Sequence, residues 1–399
     1  MISKKIFVCI SIFSFIHLIL SESKKVSPCN TQNCKPPNCR CSSTGVPGGL
    51  QPKDTPQFVL LTFDDAITIF NVPYYREAFV QRVNPDSCPV SATFFVSHEY
   101  SDYTLIHEMY SAGHEIALHS ISHTTDTDYW RSASVEQLTD EFAGERSIVE
   151  KFAKIPASHV TGLRMPFLQM SANNSFQMMK DNNFIYDCSM PTRSFVSPGL
   201  WPYTLDYKST QDCVIGPCPA GSIPGVWVIP MITWTTRDGF PCSMVDTCLG
   251  MPNTTQGLFE FFKQNFEKSY LSNKAPFGFY VHAAWFNVSP VHFEAYKKFL
   301  DYLKTLKDVF LVNASTVINW VRNPVSLTQM KNSNWSNCRK PGPISCKPVS
   351  CELCKKEGDN YVTRWVKLCD VSCPKSYPWL GNHFGAQDYA NGCKRRWKW

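Results

Sequence analysis

Between Phe58 and about Arg322 the chain alternates short apolar runs with segments of helical spacing, and few architectures accommodate that pattern. Phe58–Phe63 and Ser91–Val96 read as buried strands. His114–Leu118, Val160–Leu163, Gly225–Pro230, Phe277–Val281 and Val309–Val312 are further short strand candidates. Between them, Thr104–Ala112, Val135–Phe152, Ala172–Asp181, Gln256–Leu271 and Val291–Leu306 carry helical spacing. Strands alternating with helices imply an α/β fold with a largely parallel sheet, closed or open. A region of about 265 residues suits a (β/α) barrel in size.

The flanks are of another kind. Lys4 and Lys5 precede an apolar run, Ile6 to Leu20, followed by Ser21 and Ser23, which predicts a secretory signal peptide over residues 1–21. That run is short for a membrane span, and no later segment is long and apolar enough to cross a bilayer. Residues 22–57 form a Cys/Pro-rich segment and linker, with a cluster from Cys29 to Cys41 too small for a core of its own. Residues 58–322 are the α/β region, and residues 323–399 hold seven cysteines with little apolar periodicity, as a disulfide-held appendage would. There are 18 cysteines, all but Cys9 beyond the leader, which suits a secreted, extracellular chain. The odd remainder leaves at least one thiol unpaired or pairing between chains. Sequons at Asn173, Asn253, Asn287, Asn313 and Asn334 point the same way. A formal net charge of +6, part of it in the tail Lys394–Lys398, is too mild to argue for nucleic acid. A monomer is the default.

Four segments carry chemistry. Asp64-Asp65 directly follow the first strand, and strand C-terminal ends carry the active sites of parallel α/β folds. Adjacent carboxylates repel unless a cation or a shared proton lies between them, although an isolated Asp-Asp more often starts a helix. His119 and His123 follow another strand; two histidines four apart can share one side of a helical turn and hold one metal ion. An Asp at a second strand end completes an Asp/His/His set that suits zinc and leaves positions open for water and substrate. Arg164 follows Val160–Leu163 and can pair with a carboxylate, keep it ionised and orient it; a plain salt bridge is the commoner role for such an arginine. His282 ends the strand Phe277–Val281, on the same rim, where it suits acid catalysis; a lone histidine there is as often a satisfied structural residue.

The order Thr-Phe-Asp-Asp, His-Ser-x-x-His, Arg-x-Pro-Phe, Asp-x-Ser, His-Ala-Ala-Trp resembles the polysaccharide deacetylases of carbohydrate esterase family four, and in particular the arthropod and nematode chitin deacetylase-like proteins. The likeness extends through Cys39–Leu50, Ala92–His98, Trp201–Leu205 and Cys373–Gly381, so it covers essentially everything after the leader. It implies a NodB-type distorted (β/α) barrel and metal-dependent removal of acetyl groups from chitin or another N-acetylglucosamine polymer. By the same resemblance Asp65, His119 and His123 bind Zn2+, with Co2+, nickel or manganese as alternatives. Asp64 is the general base, Arg164 positions it, and His282 protonates the leaving amine. Phe167 lends its backbone N–H to an oxyanion hole, and Asp187 supports His282. A cuticle or gut matrix is the implied location.

Two departures from the family pattern stand out. Cys188 occupies a place where many relatives carry Ser; a disulfide is the plainer expectation for it, a free thiol beside the site the other. No recognisable chitin-binding module precedes the barrel, so grip on a polymer rests on the barrel groove and the appendage. Aromatic residues make up 14% of the chain, and sugar rings stack on exposed Trp faces. Trp285 is the first candidate for that contact, ahead of Trp201, Tyr203 and Trp130, for which core packing is the commoner role. A catalytically silent chitin-binding matrix protein is the alternative reading, and it would show a substituted ligand or base; none is substituted here. Peptidoglycan and acetylated xylan are alternative substrates for the same chemistry.

Overall fold

The computed structural model describes residues 26–336 and 338–394; the expected signal peptide and most of the basic tail lie outside them. The core is one sheet built on β1 (Gln57–Asp64), every residue of which is buried, as befits a parallel strand covered on both faces. β2 (Thr93–Val96), β3 (Glu115–Leu118), β4 (Gly162–Leu163) and β5 (Tyr186–Asp187) follow in spatial order on one side of β1. Strands Ile223–Val228 and Tyr203–Leu205 extend the sheet beyond β5, the last pair antiparallel. On the other side β1 pairs in parallel with Phe277–His282, and its N-terminal half also pairs with Val309–Leu311. Among the described residues no ladder joins Tyr203–Leu205 to Phe277–His282, so the barrel is distorted and open.

Most expected helices are present. Ala172–Asp181 is one, and Tyr103–Ser111, Thr255–Tyr270 and Pro290–Thr305 lie within a residue of the sequence reading. The segment expected as a single helix, Val135–Phe152, is instead broken. Val135–Leu138 and Gly144–Ala153 are α-helical, and Thr139–Ala143 between them widens into a π-helical turn.

Among the described residues eight disulfides close the structure. Cys29–Cys41 and Cys34–Cys39 staple the N-terminal cluster, and Cys213–Cys218 and Cys242–Cys248 tie short loops. The C-terminal region is held by Cys346–Cys369, Cys351–Cys373 and Cys354–Cys393, while Cys88–Cys338 bolts it to the barrel. Its main element, a hairpin of Pro348–Glu357 and Asn360–Cys369, packs on Tyr103–Ser111 and Gly144–Ala153. Beyond the hairpin, His383 lies 2.5 Å from Asp140, and Asp140 also accepts the Gly381 N–H. Gly144 leaves room for the His383 ring, since a Cβ would come within 2.3 Å of it and the ring would have to shift.

The expected disulfide at Cys188 is not formed: the thiol is free and buried, and burial pushes it up to about 11. Of the sequons, Asn253, Asn287 and Asn334 are exposed. Asn173 and Asn313 fit a glycan poorly. Asn173 accepts the N–H groups of Ala220 and Gly221, and Asn313 caps the helix Ala314–Arg322.

Candidate active site

The C-terminal ends of β1, β3, β4 and Phe277–His282 meet at one face, and each brings one part of the site. Asp64 is the last residue of β1 and pairs in register with His282 on the neighbouring strand. Successive strand side chains point to opposite faces, which would separate the two aspartates. Asp65 escapes that rule because its backbone turns left-handed, with φ 78°. Both carboxylates then approach the same imidazole: His119 Nε2 is 3.8 Å from Asp64 and 3.9 Å from Asp65.

His119 follows β3, and His123 comes round to 3.4 Å from Asp65. The turn between them is not the helical one that the spacing suggests. It is an irregular loop with Ser120 at φ 85° and His123 at φ 41°. Asp65, His119 and His123 each place a ligand atom within 4.8 Å of the other two. Bonds of about 2.1 Å to a tetrahedral ion would set ligand atoms about 3.4 Å apart, so a small inward movement closes the set. His119 Nδ1 bonds the Arg164 carbonyl at 2.7 Å, which leaves Nε2 with its lone pair toward the cluster. Burial pulls His119 down to about 4, so the ring is neutral at pH 7, as a ligand must be. One carboxylate and two imidazoles fit a divalent ion of the zinc type.

Arg164 is wholly buried and spends its guanidinium on this face. It donates to Asp64 at 2.5 Å, to Thr62 Oγ1 at 3.0 Å and to the Cys188 carbonyl at 2.7 Å, and it lies 4.1 Å above the Phe95 ring. Burial alone would raise the Asp64 carboxyl, but the charges of Arg164, His119 and His282 outweigh it and hold Asp64 below the usual 3.8. Phe167 sits past the next turn with φ 56°, 44% exposed, its ring 5.2 Å from that of His123.

His282 bonds Asp246 through Nδ1 at 2.7 Å. Burial would lower its pKa, but the Asp246 hydrogen bond and the charge of Asp64 raise it to about 9. Asp246 replaces the expected partner. Asp187 is fully buried and bonds Ser189, whose hydroxyl in turn accepts the Met165 N–H, so it braces the turn after Arg164. Burial raises that carboxyl to about 6. Asp246 lies in a short helical turn inside the Cys242–Cys248 loop; an Asp flanked by two closely spaced cysteines is the only mark it leaves in the sequence.

Of the aromatic candidates, Trp285 is corrected, while Trp130, Trp201 and Tyr203 take the core role already given as the commoner one. Trp130, Trp201 and Tyr203 have no exposed surface. Trp201 stacks on Trp320, Trp130 donates to the Thr124 carbonyl, and Tyr203 donates to Gln211. Trp285 is 7% exposed with its face covered by His292, 4.0 Å away. Among the described residues, exposed aromatic side chains in segments that follow strands include Phe70 after β1, Tyr100 after β2, Phe167 after β4, and Phe240 just before the Cys242–Cys248 loop.

Residues 51–184 match the family model described as polysaccharide deacetylase. Chitin deacetylase 8 of Bombyx mori is 45% identical over 384 residues, 96% of this chain and all of that protein. Chitin deacetylase 1 of the same organism is 37% identical over 385 residues, 92% of this chain and 70% of that protein. The chain belongs to the polysaccharide deacetylase family and is an enzyme of that class.

Proposed function

We propose that the chain hydrolyses the N-acetyl groups of chitin or chitin oligomers, releasing acetate and leaving glucosamine units. The observation that carries this reading is the placement of Asp64 between Arg164 and the Asp65/His119/His123 cluster, one strand away from His282. Asp65, His119 and His123 would hold a divalent cation, zinc by its donor set. A cation there supplies Lewis acidity to the amide carbonyl and lowers the pKa of a coordinated water. Asp64 accepts the proton of the attacking water, and Arg164 keeps the carboxylate ionised and aimed. His282, held protonated by Asp246, gives its proton to the departing amine. The Phe167 N–H, in its left-handed turn, is the proposed donor to the developing oxyanion, a contribution of about 3–4 kcal/mol where such donors are removed. Phe70, Tyr100, Phe167 and Phe240, which are exposed, offer faces for sugar rings that the buried Trp285, Trp201, Tyr203 and Trp130 do not. The protein works outside the cell: its disulfides suit an oxidising compartment, and among the described residues no helix is long and apolar enough to cross a membrane.

Acetate release from chitin oligomers is the test, with and without chelator and with Asp64→Asn beside wild type. Release that a chelator stops, zinc restores and the substitution abolishes is the expected result. No release from any acetylated oligomer, with oligomers still bound, would instead make the chain a chitin-binding matrix protein.

A further inference from the structure

We infer that Glu141 and Glu145, two buried side chains behind the site, are positioning residues that hold the His119–His123 loop in its cation-binding shape. The inference rests on the reading of Asp65, His119 and His123 as cation ligands. The loop needs outside support. Ser120 and His123 both occupy the left-handed region, at φ 85° and 41°, which residues with a Cβ seldom adopt. Such conformations persist where surrounding contacts over-determine them. One contact is internal, the His123 N–H donating to Ser120 Oγ at 3.0 Å.

His98 donates its N–H to the Ser120 carbonyl at 3.1 Å, and further contacts come from the broken helix. Glu145 accepts the Ser120 N–H at 2.8 Å. Glu141 accepts the Ser122 N–H at 2.8 Å and the Ser122 hydroxyl at 2.5 Å, with the Tyr129 hydroxyl at 3.1 Å on the same oxygen. Glu141 lies in the π-helical turn and Glu145 opens the α-helix that follows, four residues on, so both face the loop. Widened turns of this kind recur at functional sites. Both side chains are 0% exposed, and among the described residues neither has a cationic partner. The second oxygen of Glu145 has no partner at all. A fold gains little from burying two carboxyl groups without a counter-charge. What the pair does secure is two backbone N–H groups, both between the two histidines. Neither glutamate touches substrate or the reacting atoms; each acts through the loop.

The test is cation affinity in the full secreted chain, with Co2+ as the probe, followed by its visible absorption and by competition with zinc. Glu145→Leu removes the acceptor, and Co2+ affinity should fall by about 10- to 100-fold, the usual cost of losing a group behind a metal ligand. Glu145→Gln keeps an acceptor for the Ser120 N–H and should stay close to wild type. Ser122→Ala removes the hydroxyl that Glu141 binds while leaving the backbone whole, and should give a smaller loss. Unchanged affinity in a folded Glu145→Leu protein overturns the inference, as does a Gln variant that fails as badly as Leu. If Glu145→Leu does not fold, wild-type affinity in Ser122→Ala overturns it. His119→Ala is the control: wild-type cobalt binding there refutes the ligand assignment itself.

Discussion

Asp246→Asn probes the acid half of the site without touching the cation ligands or Asp64. The Asp246 carboxylate sits 2.7 Å from His282 Nδ1 and is the leading influence that raises the ring above its ordinary 6.5, to about 9. An amide at the same place can still accept the N–H but carries no charge, so the pKa should return toward 6.5. A pKa of 9 leaves about 91% of the ring protonated at pH 8, and one of 6.5 leaves about 3%, a loss of about thirtyfold in the competent acid. Below pH 6 both proteins are protonated and the difference should nearly vanish. The assay is kcat/KM for acetate release from a chitin oligomer between pH 5 and pH 10, at saturating zinc. The expected result is an alkaline limb displaced to lower pH with the acid side unmoved. The same fractional loss at every pH, with the limb in place, would refute the reasoning and leave Asp246 as a purely geometric support.

Arg164→Leu leaves the Asp64 carboxylate buried without its partner, which should cost about 3–5 kcal/mol in denaturant unfolding at neutral pH. Asp64 has its folded pKa below the ordinary 3.8, so this contribution is present above that pH and fades as pH falls through the folded value. The gap between variant and wild type should therefore narrow in acid, and a constant gap would count against the ion pair. Trp201→Ala and Phe240→Ala should separate cleanly. The first empties a core position and should lose about 3–5 kcal/mol of stability with KM unchanged. The second should leave the melting temperature alone and raise KM for chitin oligomers severalfold, for a stacking loss of about 0.5–1.5 kcal/mol.

Much of the candidate site was legible in its placement because those residues end strands. Phe58–Phe63 and Phe277–Val281 announce themselves as continuous apolar runs, and Asp64 and His282 come directly after them. Asp246 comes from a loop with no periodicity, and only the fold brings it to His282 from 36 residues away. For Trp130 and Trp201 core packing was the commoner expectation but not a decided one, since a ring with a polar edge serves a core and a sugar site alike until its hydrogen-bond partner is known. The hairpin Pro348–Glu357/Asn360–Cys369 escaped notice although its residues alternate. Lys355 stands at an inward position of that alternation, 3% exposed, and is accommodated by Glu99 at 3.1 Å and by the Trp379 ring 3.3 Å away. A buried charge matched by distant residues breaks the apolar pattern without breaking the strand.

The contact of His383 with Asp140 and Gly144 has a consequence in time. Synthesis delivers the His119–His123 loop and the widened turn behind it long before the residues that clamp that turn from outside. A nascent barrel can pair its strands before the last stretch of chain has arrived and Cys338 has found Cys88, with the turn behind the candidate site not yet held from outside. A chain cut short after the barrel would keep Asp64, Asp65, His119, His123, Arg164 and His282 and lose the contact of His383 with Asp140.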